Sequence, residues 1–368
     1  MKSSPSLPAI HPEKAFTLVE VMVAMVIGML GLIIMMQVFS EAERQRRATT
    51  GTGDAQSNGA MALYALQRDI RQGGYGFNAL NALGCPITLP APASRTLTQL
   101  APVVINPPTT DVPAGDANSD TLLVSFGNGD GSPEGDLITV VSGSQVALRT
   151  TANFPAPPAL GPFQWVAAAP AAATVGCALT LAPVTAVAAP NLTVAGTGAV
   201  DGGQLFNFGS NPRILAYAVR AGNLTFCDYL TANCGAACTA ADGSCSANWI
   251  PIANNIVSLR AQYGRDTSIP MDGIIDTWDQ TTPAQPSPAN QEVFACLWAR
   301  AAALRIALVA RNSQVERDAI TATAPTWAGS ADDPVDLSAR NNWQNYRYRL
   351  FETVIPLRNL PWMTSCIT

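Results

Sequence analysis

The strongest pattern in the chain is an apolar run close to its start, from Phe16 to Phe39. Its 24 residues, FTLVEVMVAMVIGMLGLIIMMQVF, contain a single ionisable side chain, Glu20. As an α-helix the run would span roughly 36 Å, which is enough to cross a bilayer. An ordinary secretory signal has a shorter apolar core followed by a small-residue cleavage site, and no such site follows this run. We therefore predict a transmembrane helix over residues 16–39 that stays attached to the chain.

The helical pattern continues beyond the membrane segment. No proline occurs between Pro12 and Pro86, so a helical extension over residues 40–74 is predicted, ending at Gly73-Gly74. Low helix propensity at residues 49–53 predicts a weak or bent region there. An apolar stripe that we expect to pack on a sheet recurs at near-helical spacing: Ala55, Gly59, Leu63, Leu66 and Ile70.

After Gly74 the pattern changes to short alternating or β-branched runs separated by turn residues, which indicates antiparallel strands. Val257, Leu259, Ala261 and Tyr263 alternate with polar residues, as in a half-buried strand. The predicted fold class is α+β, with a long N-terminal helix on an antiparallel sheet and a β-rich domain over residues 75–368. Residues 151–200 could be edge strands or long loops. Further predicted strands are Leu122 to Phe126, Leu137 to Val141, Gln145 to Arg149, Ile214 to Arg220 and Leu224 to Cys227.

Charge and composition exclude several functions. Beyond residue 15 the chain has 19 Arg against 25 Asp and Glu, a net charge of −6, which argues against a nucleic-acid partner. The single histidine, His11, precedes the membrane segment. Catalytic triads and most catalytic zinc sites need an imidazole. We therefore expect no enzyme activity, no catalytic residues and no cofactor.

The cysteine content indicates an oxidising compartment. The chain has eight cysteines, an even number, as expected where disulfides persist. Four are crowded into one stretch, with spacings that favour disulfides over a zinc site with tight C-x-x-C pairs. Their pairing cannot be deduced from the sequence. The disulfide candidates are Cys227, Cys234, Cys238, Cys245, Cys85, Cys177, Cys296 and Cys366.

Glu20 is anomalous, because a carboxylate in the hydrocarbon region costs several kcal/mol unless it is paired or faces protein. It could lie near the membrane interface or be protonated there. Alternatively, cleavage before Phe16 would free an α-amine four residues upstream, which could neutralise a glutamate of a neighbouring subunit.

The residues Lys14-Ala15-Phe16-Thr17-Leu18-Val19-Glu20, followed by the apolar run, resemble the class III signal of type IV prepilins and pseudopilins. The resemblance implies that residues 1–15 are a leader, which a prepilin peptidase removes on the cytoplasmic face. It implies cleavage between Ala15 and Phe16, N-methylation of Phe16, and a role in assembly for Glu20. Ala15 departs from the pattern, because the family usually has glycine there.

Segments in the carboxy-terminal third resemble the PilW-type minor pilins. This resemblance implies a pilin-like fold, anchored in the bacterial inner membrane by one span, with the C-terminal domain in the periplasm. It also implies a subunit that helps to initiate type IV pilus assembly in a tip complex, where adhesion would be an additional role. Implied partners are other minor pilins, the major pilin, the prepilin peptidase and the pilus assembly machinery. The segments are Leu259–Gly264, Leu304–Arg311, Tyr346–Arg349 and Leu357–Asn359.

A loop after the Tyr263 strand contains Asp266, Asp272-Gly273 and Asp276. Alternating oxygen ligands with a glycine are typical of calcium loops. Here Ile269-Pro270-Met271 fills the middle of the loop, so a solvated turn is preferred and calcium is kept as the alternative. Asp332-Asp333 is expected to lie in a loop as well.

Two alternative functions remain open. A minor pseudopilin of a type II secretion system would share the N-terminal chemistry. A membrane-tethered periplasmic binding domain or enzyme would instead keep an uncut leader and require a pocket, and the missing histidines argue against catalysis.

Overall fold

The computed structural model describes residues 17–129, 131–158, 161, 163–170, 177–194, 196–238, 243–286 and 289–361. The chain divides into two compact units, Met1–Gly51 and Thr52–Thr368. Helix α1, Leu18–Gln72, begins in the first unit and ends in the second. It ends directly before Gly73-Gly74, as predicted. It is helical through residues 49–53, so the low propensity of that segment does not interrupt it.

Strands are the main regular structure of the second unit, as the alternating pattern predicted. In the described residues all strand pairs are antiparallel except β1 with β8. The α+β class with a β-rich C-terminal domain is thereby confirmed. The second helix, α2, is Gln291–Ala299, and the strands are β1 Ile87–Leu89, β2 Arg95–Leu97, β3 Val103–Ile105, β4 Leu122–Phe126, β5 Asp136–Ser142, β6 Gln145–Leu148, β7 Trp165–Ala169, β8 Leu179–Thr180, β9 Ala182–Ala188, β10 Asn191–Val194, β11 Gln204–Gly209, β12 Arg213–Arg220, β13 Asn223–Asp228, β14 Ile250–Ala253, β15 Ile256–Arg265, β16 Thr277–Asp279, β17 Ala301–Arg311 and β18 Tyr348–Pro356.

The second half of α1 contributes one face to the main hydrophobic core. Ala55, Ala62, Leu66 and Ile70 are each 2% exposed or less, at spacings of seven, four and four residues along the helix. The predicted stripe is largely confirmed, although Leu63 is only partly buried. The neighbouring Ala62 is fully buried instead, at 0% exposure.

The C-terminal end of α1 is held by a residue far along the chain. The last carbonyl groups of a helix have no partner within the helix. Asn359 Nδ2 lies 3.4, 3.2 and 3.2 Å from the carbonyl oxygens of Arg71, Gln72 and Gly73, to which it donates. The segment after β18 therefore fixes where α1 ends relative to the C-terminal sheet.

The C-terminal sheet has the strand order β16-β15-β17-β18. Strand β17 is its longest element and pairs with β15 from Ala301 to Ala310, and with β18 from Ala303 to Arg311. Helix α2 precedes β17 directly, with Asn290 as its N-cap. A second sheet has the order β14-β13-β12-β4-β3 and shares the main core with α1.

Residues between the paired strands β4 and β12 form a closed barrel that the sequence did not reveal. Phe126 of β4 lies opposite Arg213 of β12, so the intervening chain leaves the sheet and returns to the same place. The barrel order is β10-β6-β5-β11-β7-β9. It has a hydrophobic core of its own, whose buried members include Ile138, Val166 and Leu192. The barrel is therefore an insertion in a hairpin.

We expect opposite effects of alanine at two glycines of α1. Gly59 is buried, and a Cβ atom there would overlap the ring of Phe351 in β18, whereas nothing lies within 4 Å of a Cβ at Gly53. Gly53→Ala should stabilise the chain by about 0.5–1 kcal/mol through helix propensity. Gly59→Ala should destabilise it by about 1–3 kcal/mol through overpacking. The measurement is urea unfolding of the second unit in the purified chain, and equal stabilisation by both changes would contradict the packing.

Candidate functional site

The first turn of α1 contains the acidic residue that the sequence singled out. Thr17 precedes the helix, and its carbonyl accepts the N–H of Val21 at 3.2 Å. Glu20 Oε2 accepts hydrogen bonds from the N–H and the hydroxyl of Thr17, each at 3.0 Å, while the N–H of Glu20 donates to Thr17 Oγ1 at 3.3 Å. This reciprocal arrangement is a capping box, which satisfies donors at the start of a helix. Glu20 therefore has a partner within its own chain.

Thr17 is the functional residue that the sequence analysis missed in this segment. The signal was present, since a threonine followed three residues later by a glutamate before an apolar run is the pattern of a capping box. The predicted cleavage and methylation residues, Ala15 and Phe16, lie outside the described residues. The proposed partner of Glu20, an amine of a neighbouring subunit, stays a prediction.

The apolar part of α1 presents its side chains outward. Residues from Leu18 to Phe39 include large hydrophobic side chains that are 45–80% exposed. Among the described residues, α1 is the one helix long and apolar enough to cross a membrane, judged by length and composition. Such an array of exposed hydrophobic side chains requires an apolar environment.

The aspartates of the loop after β15 bind their own backbone. Asp266 accepts the N–H groups of Ser268 and Gly273 at 3.1 and 2.7 Å. Asp276 Oδ2 accepts the N–H of Thr267 at 2.7 Å and its hydroxyl at 3.0 Å, and these bonds lower the pKa of Asp276. Asp272 accepts the N–H of Ile274 at 2.9 Å.

These carboxylates hold the loop in shape. No group of three or more His, Cys, Asp or Glu side chains in the described part of the chain is arranged to hold a metal ion. The three calcium candidates, Asp266, Asp272 and Asp276, therefore carry no metal proposal. The loop presents Ile269 and Ile274 to solvent, with 70% and 63% of their surface exposed.

The crowded cysteines form two short-range disulfides, Cys227–Cys234 and Cys238–Cys245. A third, Cys85–Cys177, joins positions 92 residues apart and ties the barrel insertion to the segment that follows α1. Cys296 is also disulfide-bonded, and Cys366 lies outside the described residues. The disulfide interpretation of the cluster thus holds over the zinc alternative.

A buried pair of aspartates lies between the two large sheets. Asp120 precedes β4 and is 4% exposed, and Asp333 lies between β17 and β18 and is 8% exposed. Arg260 Nη1 of β15 lies 3.5 Å from Asp120 and 3.0 Å from Asp333. Gln280 Nε2 donates to both carboxyl groups, at 2.6 and 3.1 Å. Sequence reasoning assigned Asp333 to a loop, and this is correct, but it did not reveal the partnership with Asp120.

Burial governs the titration of this pair. It raises the pKa of Asp333 to about 6, with the neighbouring Asp120 as the second cause, and Arg260 opposes the shift. Burial also raises the pKa of Asp120. A buried carboxyl group beside a second carboxyl group holds its proton more tightly than an isolated one, and the guanidinium between them only partly offsets this effect. The hydrogen bonds and ion pairs of this cluster join the two sheets.

A cleft of about 430 Å³ lies beside the last turns of α1. Tyr217 donates to Asp69 Oδ2 at 2.5 Å, and Arg68 Nε donates to Asp69 Oδ1 at 2.8 Å. Burial, followed by the charge of Asp69, raises the pKa of Tyr217 well above its usual value. The tyrosine therefore stays protonated and serves as a donor that fixes α1 to β12, and not as a base.

Comparison with known families gives two matches. The family described as Type IV Pilus-assembly protein W matches residues 231–359, which include α2 and the whole C-terminal sheet. The prokaryotic N-terminal methylation motif matches residues 10–36, which include Glu20 and Thr17. The barrel lies outside both matches. Searches of curated proteins and of solved structures found no match.

We expect the aspartate pair to make stability depend on pH. The pKa of Asp333 is about 6 in the folded chain against 3.8 for a free carboxyl group, so the folded chain binds the extra proton. This contribution is fully present below about pH 4 and is lost as pH rises through about 6. In Asp333→Asn, the free energy of unfolding should therefore decrease less between about pH 4 and pH 6 than it does in the unaltered chain.

The measurement is urea unfolding at several pH values. Asp276→Asn is the matched control, because its pKa is lowered and its contribution therefore has the opposite sign: it is present above about pH 4 and lost in acid. An unchanged slope in Asp333→Asn would show that the aspartate pair does not bind this proton.

Proposed function

We propose that this chain, which is a PilW-type type IV pilin, is a minor pilin that helps to initiate pilus assembly in a complex at the fibre tip. The observation that carries the proposal is the presence of both family segments on one chain, the first of them largely within α1. The methylation motif supplies the chemistry of a pilin precursor. The C-terminal match relates the sheet to a pilus-assembly protein.

The N-terminal geometry supports a role for Glu20 both before and during assembly. In the single chain, Thr17 donates two hydrogen bonds to the Glu20 carboxylate, which reduces the cost of holding it in a membrane. We propose that removal of residues 1–15 frees the amine of Phe16, and that N-methylated Phe16 of one subunit then pairs with Glu20 of its neighbour. The exposed apolar face of α1 would pack against other pilin helices.

The proposed location is the bacterial inner membrane, with the second unit in the periplasm before its incorporation into the pilus. The disulfides support this orientation, because such bonds persist in an oxidising compartment. Proposed partners are the prepilin peptidase, other minor pilins, the major pilin and the assembly machinery. Pilin domains are structural proteins, and we propose no catalytic role.

Precursor processing gives the first prediction. In cells that contain a prepilin peptidase, the chain should begin at N-methylated Phe16, and in cells that lack the enzyme it should keep residues 1–15. Intact mass and N-terminal sequencing of the chain from membranes make the measurement. The same upstream N-terminus in both strains would remove the basis for the precursor chemistry.

Substitutions of Glu20 distinguish the effect of its charge from the effect of its hydrogen bonds at the start of α1. Glu20→Gln keeps an acceptor for Thr17 at the third helical position, as in a capping box, but removes the charge. If the carboxylate pairs with an amine in the assembled fibre, Glu20→Gln and Glu20→Ala should both reduce surface pili roughly tenfold or more, because an unpaired amine in the apolar fibre costs several kcal/mol.

Glu41→Gln is the matched control, because Glu41 is exposed, lies beyond the apolar run and forms an ion pair with Arg44 at 3.7 Å. Its effect on pilus number should be small. Normal piliation with Glu20→Gln would show that the cap alone is required. If secretion is lost instead of pili, the chain is a pseudopilin of a type II secretion system.

A further inference from the structure

The C-terminal sheet ends in a long edge strand. In the order β16-β15-β17-β18, strand β18 has nine residues and pairs with β17 without a register shift. The other edge strands of the open sheets in the described residues are β2, β3, β8, β14 and β16, which have two to four residues each. Natural proteins shorten or bend the edges of their sheets, because an unpaired strand attracts further strands. The edge at β18 is neither short nor bulged.

Hydrogen bonds at the two ends of β18 show which of its backbone groups lie on the open edge. The N–H of Asn312 donates to the carbonyl of Arg347 at 2.8 Å, and the N–H of Leu357 donates to the carbonyl of Ala302 at 2.9 Å. Alternate residues of an antiparallel strand bond to the same neighbour, so the odd-numbered residues of β18 bond to β17. The even-numbered residues direct their N–H and carbonyl groups outward, where no described residue forms a hydrogen bond with them. The residues with both groups on the open edge are Tyr348, Leu350, Glu352 and Val354.

The side chains along this edge are accessible, although both faces of β18 have contacts. Helix α1 contacts one face, where Phe351 meets Gly59. The loop between β17 and β18 contacts the other face, where the N–H of Ala328 donates to the Glu352 carboxylate at 3.1 Å. Val354 is nevertheless 52% exposed, and Glu352 is exposed as well. A further strand can therefore approach β18 from the side opposite β17.

A polar pocket of about 330 Å³, the Arg349 pocket, lies at the N-terminal end of β18. Arg347 and Arg349 line it, and its described lining residues include no Asp or Glu. Arg347 pairs with Glu316 at 3.1 Å, whereas Arg349 forms no ion pair with any residue that the structure describes. Asn312 also lines the pocket and is 1% exposed, and its Nδ2 donor has no hydrogen-bond partner among the described residues. Guanidinium and amide donors of this kind suit a carboxylate.

We propose that β18 receives an antiparallel strand from another pilin subunit, and that an Asp or Glu near the C-terminal end of that strand enters the Arg349 pocket. An antiparallel strand ends where β18 begins, so its last residues lie beside this pocket. Thr52 and Ala55 of α1 also line the pocket, and α1 is the helix that packs against other pilins in the proposed function, on which this inference rests. In strand addition the main-chain hydrogen bonds give affinity, and side-chain pockets give specificity.

Proline substitution tests the strand addition. Because the N–H of Val354 points away from β17, Val354→Pro keeps the hydrogen bonds between β17 and β18. It removes a donor that the added strand needs, so surface pili should decrease roughly tenfold. Thr353→Pro is the contrasting variant, because the N–H of Thr353 bonds to β17 and its loss should lower the free energy of unfolding.

The fold of the Val354→Pro chain is checked by urea unfolding, and its processing by the mass of the chain from membranes. Both should match the unaltered chain. Normal pilus numbers with a folded and processed Val354→Pro chain would overturn the proposal. That result would leave the pilin assignment intact, since leader removal and the Glu20 variants test the assignment separately.

Removal of one charge tests the pocket. Arg349→Gln should reduce the number of surface pili severalfold, because the carboxylate of the added strand loses its cationic partner. Arg317→Gln is the matched control, since Arg317 is exposed and does not line the pocket, and it should leave the number of pili unchanged. Equal pilus numbers in Arg349→Gln and the unaltered chain would show that the pocket does not bind a carboxylate of the partner.

Photo-crosslinking in cells identifies the occupant, and it stays decisive if the proline variant fails to fold. With benzoylphenylalanine in place of Val354, the expected product is an adduct in which the linked peptide belongs to another pilin and contains an Asp or Glu. The same replacement of Ile274, which is 63% exposed in the loop before β16, should give no such adduct. An adduct with a second copy of this chain or with a protein that is not a pilin, or the absence of any adduct, would overturn the proposal.

Discussion

The structure of the second unit depends on the burial of one face of α1 between residues 55 and 70. The main core is formed by this face of α1, by the five-stranded sheet and by the inner side of the C-terminal sheet. Gly59 permits close approach to Phe351, and Asn359 holds the last carbonyl groups of the helix. Because Phe351 and Asn359 both lie within residues 231–359, the second half of α1 packs on the part of the chain that matches the pilus-assembly family.

Polar groups inside this framework join elements far apart in sequence. The Tyr217 hydroxyl fixes Asp69 of α1 to β12, and Arg260 with Gln280 connects Asp120 of one sheet to the loop that carries Asp333. A buried polar group left without its partner costs more than the bond contributes. These networks therefore specify one arrangement of the sheets, and this structural role accounts for the buried charges.

The barrel shows how an insertion can be accommodated without disturbing this framework. The barrel begins after Phe126 and ends before Arg213, and these two residues lie opposite each other on the paired strands β4 and β12. The pairing of β4 with β12 therefore does not depend on the residues of the insertion. Cys85–Cys177 and the stacking of Phe77 on Phe208, with ring centroids 5.4 Å apart, fasten the barrel to the rest of the unit. The barrel also lies outside both family matches, as expected for an insertion.

Local patterns sufficed to predict α1, its end at Gly73-Gly74, strand β4 and the hairpin of β12 with β13, because helix and strand periodicity and turn glycines act over a few residues. The same holds for the motif around Glu20. Residues 151–200 could not be interpreted, since the Ala, Val and Thr side chains of the barrel strands follow neither period clearly. The partners of Asp333 and Asn359, the disulfide pairs and the barrel closure depend on residues brought together from far apart in the chain, and only the tertiary structure decided them, because no local pattern records which distant residue completes a contact.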